Sequence, residues 1–591
     1  MSISANFPTI RPSLLLDFAN TRVLDPRITF TRASTATFYD DDTSAVAEQN
    51  LFTYSQEFDN AAWTKTQTTV TANAGTAPDG TTTADTVVPN TSTAFHELSR
   101  SFTSSGAAAL STYVKASGYS YGYINFGGLS NGTVGFNLAT PGVFSQGAGI
   151  VSASVTDAGS GWYRVVATVS GAFTSTQIGV LPSASIASYA GDGTSGLLVW
   201  GAQLEQRSAV TAYTPTTTAA ITNYIPVLQT AASGAARFDC NPVTRESLGL
   251  LIEESRTNSL TYSSDFSNAA WTKGNASITT AANVAPDGTQ TAQKLVEDTS
   301  TSQKYARQGT TTTVQVYTFS VYAKASGRNW LLLYTDGAAS GKYFDLSSGV
   351  VGNNYGTAPT GSSITPVGND WYRCSITFTS TAAGVSNYIQ AASSNGVNNY
   401  TGDGYSGLFI WGAQLEAGAF ATSYIPTVAS TVTRAADAAS MTGTNFSSWY
   451  NVAQGGFYGE ATSKNSGSGN NSATFFNMPG SGTDRVTAYF SANALPRIES
   501  IYLGVTQYSF NGTNTVSANT SSKLAMSYAT ASFALSSNGA TSSSVSSGLV
   551  MPATSISFGT AFVAGQLNGT VKRITYYPVR LTNGQLQALT A

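Results

Sequence analysis

The chain has 591 residues, 10% of them charged, and a formal net charge of −3, where an ordinary soluble domain carries about 25% charged residues. That balance, with no stripe of clustered Lys and Arg, excludes the counterion-displacing surface that nucleic-acid binding needs. The lack of any run of about 20 apolar residues excludes a spanning helix. Hydrophobic residues reach 41%, with 30 Tyr and 28 Phe, so the Ser-, Thr-, Asn- and Gly-rich remainder clothes sizeable cores rather than a disordered tract.

Residues 1–50 hold two strand-like strings, SLLLDF and ITFTRASTATFYD, and are expected to form an N-terminal strand segment that serves as an attachment region. The apolar patch at Leu14, Leu15 and Leu16 is short and follows no basic stretch, which makes a poor signal peptide, and synthesis in a cytoplasm is expected. The acidic run Asp40, Asp41 and Asp42 is expected to be a solvated turn.

From residue 51 the chain duplicates itself. LFTYSQEFDNAAWTK returns as SLTYSSDFSNAAWTK, with Trp63 and Trp271 208 positions apart. APDGT, YVKASG/YAKASG, GWYRVVATV/DWYRCSITF and GLLVWGAQLE/GLFIWGAQLE follow in the same order, the spacing drifting only to 211 at Trp200 and Trp411. Two units result, 51–216 and 258–427, joined by a connector at 217–257. Within them Phe319, Val321 and Ala323 alternate with Thr318, Ser320 and Tyr322, the period of a half-buried strand, and Asp-Gly and Gly-Asp pairs at Asp79, Asp192, Asp287 and Asp403 mark turns. Residues 428–591 are again strand-rich. They end in a strand through Ile574 and Tyr576, stopped by Pro578, and in a short helix bearing Leu586 and Leu589 behind a Thr582/Gln585 capping box. The fold class is therefore all-β: tandem jelly-roll β-sandwiches plus a C-terminal sandwich.

Groups able to do chemistry are few. The two cysteines, Cys240 and Cys374, have no partners at metal-ligand spacing, and Cys374 reads as a small core hydrophobe. The single histidine, His96, falls opposite Lys304 of the second copy and lacks a nucleophile elbow; it reads as a surface or loop residue. No catalytic residue is assigned, and no cofactor is required. Glu57 and Glu205, or Asp265 and Glu416, recur where first and last strands meet. The favoured reading is solvated or hydrogen-bonded carboxylates, and the alternative is a structural Ca²⁺. Recurring Trp63/Trp271, Trp162/Trp371 and Trp200/Trp411 are assigned to packing. Ligand contacts are expected at aromatics that do not recur: Tyr119, Tyr121 and Tyr123, spaced by two; Trp330 and Tyr334 in the matching stretch of the second copy; and Trp449 and Tyr450 in the last unit.

The strings FTRASTATFYD and ARFDCNPVTRESLGLLIEESRTN, and the repeated SxxFxNAAWTK…APDGT…WGAQLE unit, resemble phage and prophage tail-fibre or head-spike proteins over nearly the whole chain. The duplicated unit is similar in layout to jelly-roll carbohydrate-binding modules, and the last unit resembles concanavalin-like (laminin-G-like) sandwiches. The resemblance implies a virion surface protein made in the host cytoplasm, a homo-oligomer and often a trimer, that sits beside other virion proteins. Its partner would be a host-surface glycan, bound without catalysis and without nucleic-acid or membrane insertion. The competing readings are a purely architectural capsid or tail decoration and a polysaccharide depolymerase.

Overall fold

The computed structural model describes the chain apart from residues 1–6, 212, 382, 465–472, 492, 513, 541–542 and 561–564. All ladders between its strands are antiparallel, and they assemble into three two-sheet sandwiches. Among the described residues no helix is long and apolar enough to cross a membrane.

The two copies fold alike, strand for strand. In the first, one sheet runs in the order 150–159, 162–169, 108–117, 196–205, 84–89, 68–75, and the facing sheet in the order 142–146, 133–137, 121–127, 173–181, 97–104, 64–66. In the second copy the corresponding orders are 361–366, 372–379, 316–326, 407–417, 292–297, 276–283 and 350–356, 340–345, 330–335, 384–392, 301–311, 272–274. Each pair of sheets closes over its own apolar cluster, Phe58, Trp63, Ile124 and Leu204 in one and Phe266, Trp271, Leu333 and Leu415 in the other. Cys374 is buried in the second core, and that burial pushes its thiol up.

The recurring strings are explained by interior bonds made twice. Asn50 donates to the carbonyls of Ala202 and Thr214 and accepts from the amides of Phe52 and Leu204. Asn258 does the same with Ala413, Ile425, Leu260 and Leu415. Gln203 accepts from Thr214 N and Gln414 from Ile425 N, tying each WGAQLE strand to the segment that closes its sandwich. Asp79, Asp192, Asp287 and Asp403 each cap the backbone two residues on, the expected turn chemistry.

The strand through Phe319 departs from expectation, because both its faces are buried. Phe319, Val321 and Ala323 face the core. Tyr322, on the other face, lies with Trp371, Trp411 and Tyr424 under Ile225, Leu228 and Tyr39. Those covering residues belong to a long ribbon in which 36–50 pairs with 221–231. The run Asp40–Asp42 accordingly lies within a strand of this ribbon rather than a turn; the side chains of Asp41 and Asp42 fall outside the described residues.

The third sandwich draws on distant parts of the chain. Leu14–Asp17 pairs with the strand Gly569–Tyr577, as does Ser247–Ile252, while Thr29–Thr31 pairs with Ala438–Thr442. Leu14, Leu16, Phe18, Leu250 and Ile252 share one core with Phe457, Phe476 and Tyr576. The chain thus enters this sandwich first, leaves along the ribbon to build copy 1, returns to add two strands, leaves again for copy 2, and returns to finish. Thr582 and Gln585 form the expected capping box, and the helix Asn583–Thr590 buries Leu586 and Leu589.

Candidate functional site

In copy 2 the second sheet turns one face to its core and the other outward. Strand alternation sends Leu331, Leu333, Phe344, Ile389 and Ala306 inward, so their neighbours point out. The register sets Arg307, Tyr388, Tyr334, Gly341 and Tyr355 in one transverse row across five strands. A second row, Tyr305, Gln390, Leu332 and Tyr343, runs beside it. Ring centroids lie 5.2 Å apart for Tyr305–Tyr388, 5.4 Å for Tyr334–Tyr388 and 5.1 Å for Tyr334–Tyr355, mutual distances typical of tilted and edge-to-face pairs.

Two glycines shape this platform. Gly341 leaves the middle of the row without a side chain, and at Gly352 a Cβ would come within 2.6 Å of both the Trp330 ring and Asn395 Oδ1. Trp330, Tyr334, Tyr355, Tyr388 and Tyr305 are half-buried, with rings held by neighbours yet open on one side. Tyr343 is buried beneath them, and its hydroxyl has no hydrogen-bond partner among the described residues; burial pushes it up to about 12. Arg307 flanks the tyrosines of the row, with Thr272 beyond it on the edge strand. Its Nη1 donates at the long distances of 3.3 Å to Ser386 Oγ and 3.4 Å to Tyr388 Oη, with its guanidinium carbon 5.6 Å from the Tyr388 ring centroid.

Copy 1 has the same sheet and a different face. The equivalent row reads Ser99, Gln177, Asn125 and Thr133, and it is bonded to itself: Asn125 donates to Gln177 at 2.7 Å, and Thr133 donates to Asn125 at 2.7 Å. Beside it Tyr123 lies flat over Gly179, where a Cβ would sit 2.0 Å from the ring, and its hydroxyl donates to Glu97 at 2.6 Å. Phe144 covers Gly135 in the same way and meets Tyr121 at 6.0 Å.

Of the aromatics expected to meet ligand, Tyr121, Trp330 and Tyr334 are half-buried on these outer faces. Tyr123 shares the face but is 3% exposed. Tyr119 precedes the strand and packs against the core of copy 1 and Tyr189. Trp449 and Tyr450 lie elsewhere: the short helix Thr444–Ser447 turns them into the third core, with Trp449 5.0 Å from Phe446 and Tyr450 stacked on Phe446 at 4.6 Å. Tyr305, Tyr355, Tyr388 and Arg307 were passed over. Non-recurrence was the signal that could have found them, since copy 1 places Glu97, Gln177 and Ser99 opposite Tyr305, Tyr388 and Arg307.

Of the other expected groups, Glu205, Glu416, Asp265 and His96 are tied into hydrogen bonds. Glu205 accepts from Gln203 Nε2 and from Thr211 N and Oγ1, and Glu416 accepts from Gln414 Nε2 and from Thr422 N and Oγ1. Glu57 is exposed, and Asp265 accepts from Ser267 and Gln293. Among the described residues no three Asp, Glu, His or Cys side chains gather as a metal set. His96 is fully buried rather than at the surface, its two ring nitrogens 2.6 and 2.9 Å from the carbonyls of Gln67 and Tyr189. A cleft of about 1110 Å³ lies between copy 2 and the third sandwich, walled by Ser363, Thr365 and Ser375 on one side and Lys464 and Asn519 on the other.

No family model matches the chain, and no curated protein matches it. Among solved structures, CBM40 of the Ruminococcus gnavus IT-sialidase, bound to α2,3-sialyllactose, is similar at 13% identity over 25% of this chain and 88% of that one, with a TM-score of 0.22. The LG1-3 region of the laminin alpha2 chain is similar at 11% identity over 82% and 96%, with a TM-score of 0.18. Mouse laminin alpha1 domains LG4-5 match at 9% identity over 46% and 85%, with a TM-score of 0.19. Likeness of this degree carries no weight for ligand or role; the all-β fold rests on the sheets themselves.

Proposed function

We propose that this protein binds glycans without catalysis, and that it does so as a tail fibre or head spike on the surface of a phage particle, made in the host cytoplasm and assembled as a homo-oligomer, a trimer on the family pattern. The aromatic row of copy 2 carries the binding half of this reading. A saccharide presents apolar C–H faces that stack on half-buried Tyr and Trp rings, and the exposed amide of Asn395 stands beside Trp330 for its hydroxyls. The virion half rests on the resemblance of the chain's ordered strings to those of phage fibres. Repetition over an oligomer multiplies weak single-site contacts.

The test is gel filtration of host surface polysaccharide after incubation with the full chain. Polysaccharide that co-elutes with protein at unchanged length, and no longer does so with Tyr334→Ala/Tyr388→Ala, supports the reading. Conversion to short fragments overturns the non-catalytic part, and unaltered retention by the double variant overturns the assignment of this face. Antibody labelling of phage particles reads the virion half separately.

A further inference from the structure

We infer that the two copies have parted in ligand class, and that the face of copy 2 takes a saccharide bearing a carboxylate, held by Arg307. This rests on the glycan-binding reading and narrows it.

The duplication supplies an internal control. Both copies keep the same strand order and the same interior bonds, from Asn50 and Asn258 to Gln203 and Gln414. What a shared core does not require, it does not preserve, and the divergence falls on this outer face. Arg307 replaces Ser99, and Tyr305 replaces Glu97, so copy 2 gains a cation where copy 1 has a hydroxyl and loses the carboxylate beside it.

Arg307 is under-used where it stands. No carboxylate lies within ion-pair distance of it among the described residues, although Arg27, Arg32, Arg237, Arg328, Arg434 and Arg573 each hold one. Its Nε is buried without a partner, and its contacts through Nη1 are at the long end of hydrogen bonding. A guanidinium presents a planar fork suited to two oxygens of one anion. At the end of a row of three tyrosines, a sugar stacked on the rings would bring a ring substituent to that fork. The corresponding place in copy 1 offers the Ser99 hydroxyl and the mutually bonded Gln177, Asn125 and Thr133, beside Glu97, which repels an anion.

The experiment compares the full chain on matched polymers: alginate, hyaluronan, polygalacturonate and polysialic acid, each beside its carboxyl-reduced form, by affinity electrophoresis at physiological ionic strength, where long-range attraction is screened. Wild type is expected to favour at least one carboxylated polymer over its reduced form by about tenfold or more, the worth of one charge-assisted pair. Arg307→Ser, which installs the residue natural to copy 1 at that place, should erase the preference, so that each polymer and its reduced form bind alike; Arg307→Lys should retain part of it. Equal binding of every pair by wild type, or a preference that survives Arg307→Ser, overturns the inference and leaves the glycan reading standing. Failure to bind any polymer, host polysaccharide included, overturns both.

Discussion

His96 shows what one residue reveals when its environment is counted. Both of its ring nitrogens face carbonyl oxygens, of Gln67 and Tyr189, groups that a buried side chain must satisfy with a donor. Copy 2 answers the same place with Lys304, whose ammonium donates to Ser300 O and pairs with Asp298 at 2.7 Å. A nitrogen side chain that ties a strand end to neighbouring backbone is the shared requirement. His96→Lys should therefore leave urea stability within about 1 kcal/mol of wild type, while His96→Ala, which strands two carbonyls, should cost about 1–3 kcal/mol; an alanine variant as stable as wild type would refute the role. Asp239 is a second such case. Burial, opposed by the Tyr39 amide and Lys464, pushes its carboxyl up to about 6 from 3.8. The folded state then binds that proton more tightly than the unfolded chain does. Its effect on stability is lost as pH rises from about 4 to about 6 and stays lost above. Asp239→Asn keeps the acceptor for Tyr39 and removes the ionisation. Denaturation should find it more stable than wild type near pH 7.5 and equal to it near pH 4, and the reverse ordering near pH 7.5 would exclude the buried charge as a cost.

The WGAQLE strands show where element-level reading succeeds and where it stops. Their burial and the packing of Trp200 and Trp411 follow from apolar runs and recurrence, and both are visible in the residues. The bulge at Gly201 and Gly412 is not. Each takes φ +62 within a strand whose register slips after the tryptophan, and nothing in period-two patterning announces a left-handed residue there. Gly412→Ala would carry that strain and bring a methyl within 2.9 Å of Tyr322, so the denaturation midpoint should fall by the equivalent of about 1–3 kcal/mol; an unchanged midpoint would show that the bulge relaxes freely. The site was half legible for the same reason. A spacing of two groups Tyr119, Tyr121 and Tyr123, of which the last two share a face of the strand, and the matching stretch of the second copy gives Trp330 and Tyr334. The row through Tyr388, Tyr355 and Arg307 depends on which strands pair, in which register, and that is a property of the folded sheet. Trp449 and Tyr450 went the other way, because a four-residue helix too short to leave a periodic signal turns them inward.

At the scale of the whole chain, scarce charge is concentrated where distant segments meet. Asp437 pairs with Arg32 at 3.0 Å and Arg237 at 2.5 Å, and Glu253 pairs with Arg237 at 2.9 Å and Arg434 at 3.5 Å, all of them buried. The N-terminal segment, the connector and the start of the last unit each contribute to the cluster. Removing one member leaves its partners buried and under-neutralised, so Asp437→Ala should cost about 3–5 kcal/mol in denaturant unfolding, and a loss below about 1 kcal/mol would mean that water enters and replaces the pair. The same topology makes a stronger prediction about which pieces can stand alone. Residues 428–591 lack the strands at 14–17, 29–31, 238–240 and 247–252, and with them Leu14, Leu16, Phe18, Leu250 and Ile252 of the shared core. That absence bares one side of Gly569–Tyr577, the strand against which two of these strands pair, and an open apolar edge invites aggregation. Expressed alone, 428–591 should fail to give a cooperative thermal transition, whereas joining residues 7–35 and 236–256 to it through short flexible linkers should restore one. A cooperative transition for 428–591 by itself would show that the two returning segments decorate the sandwich rather than complete it.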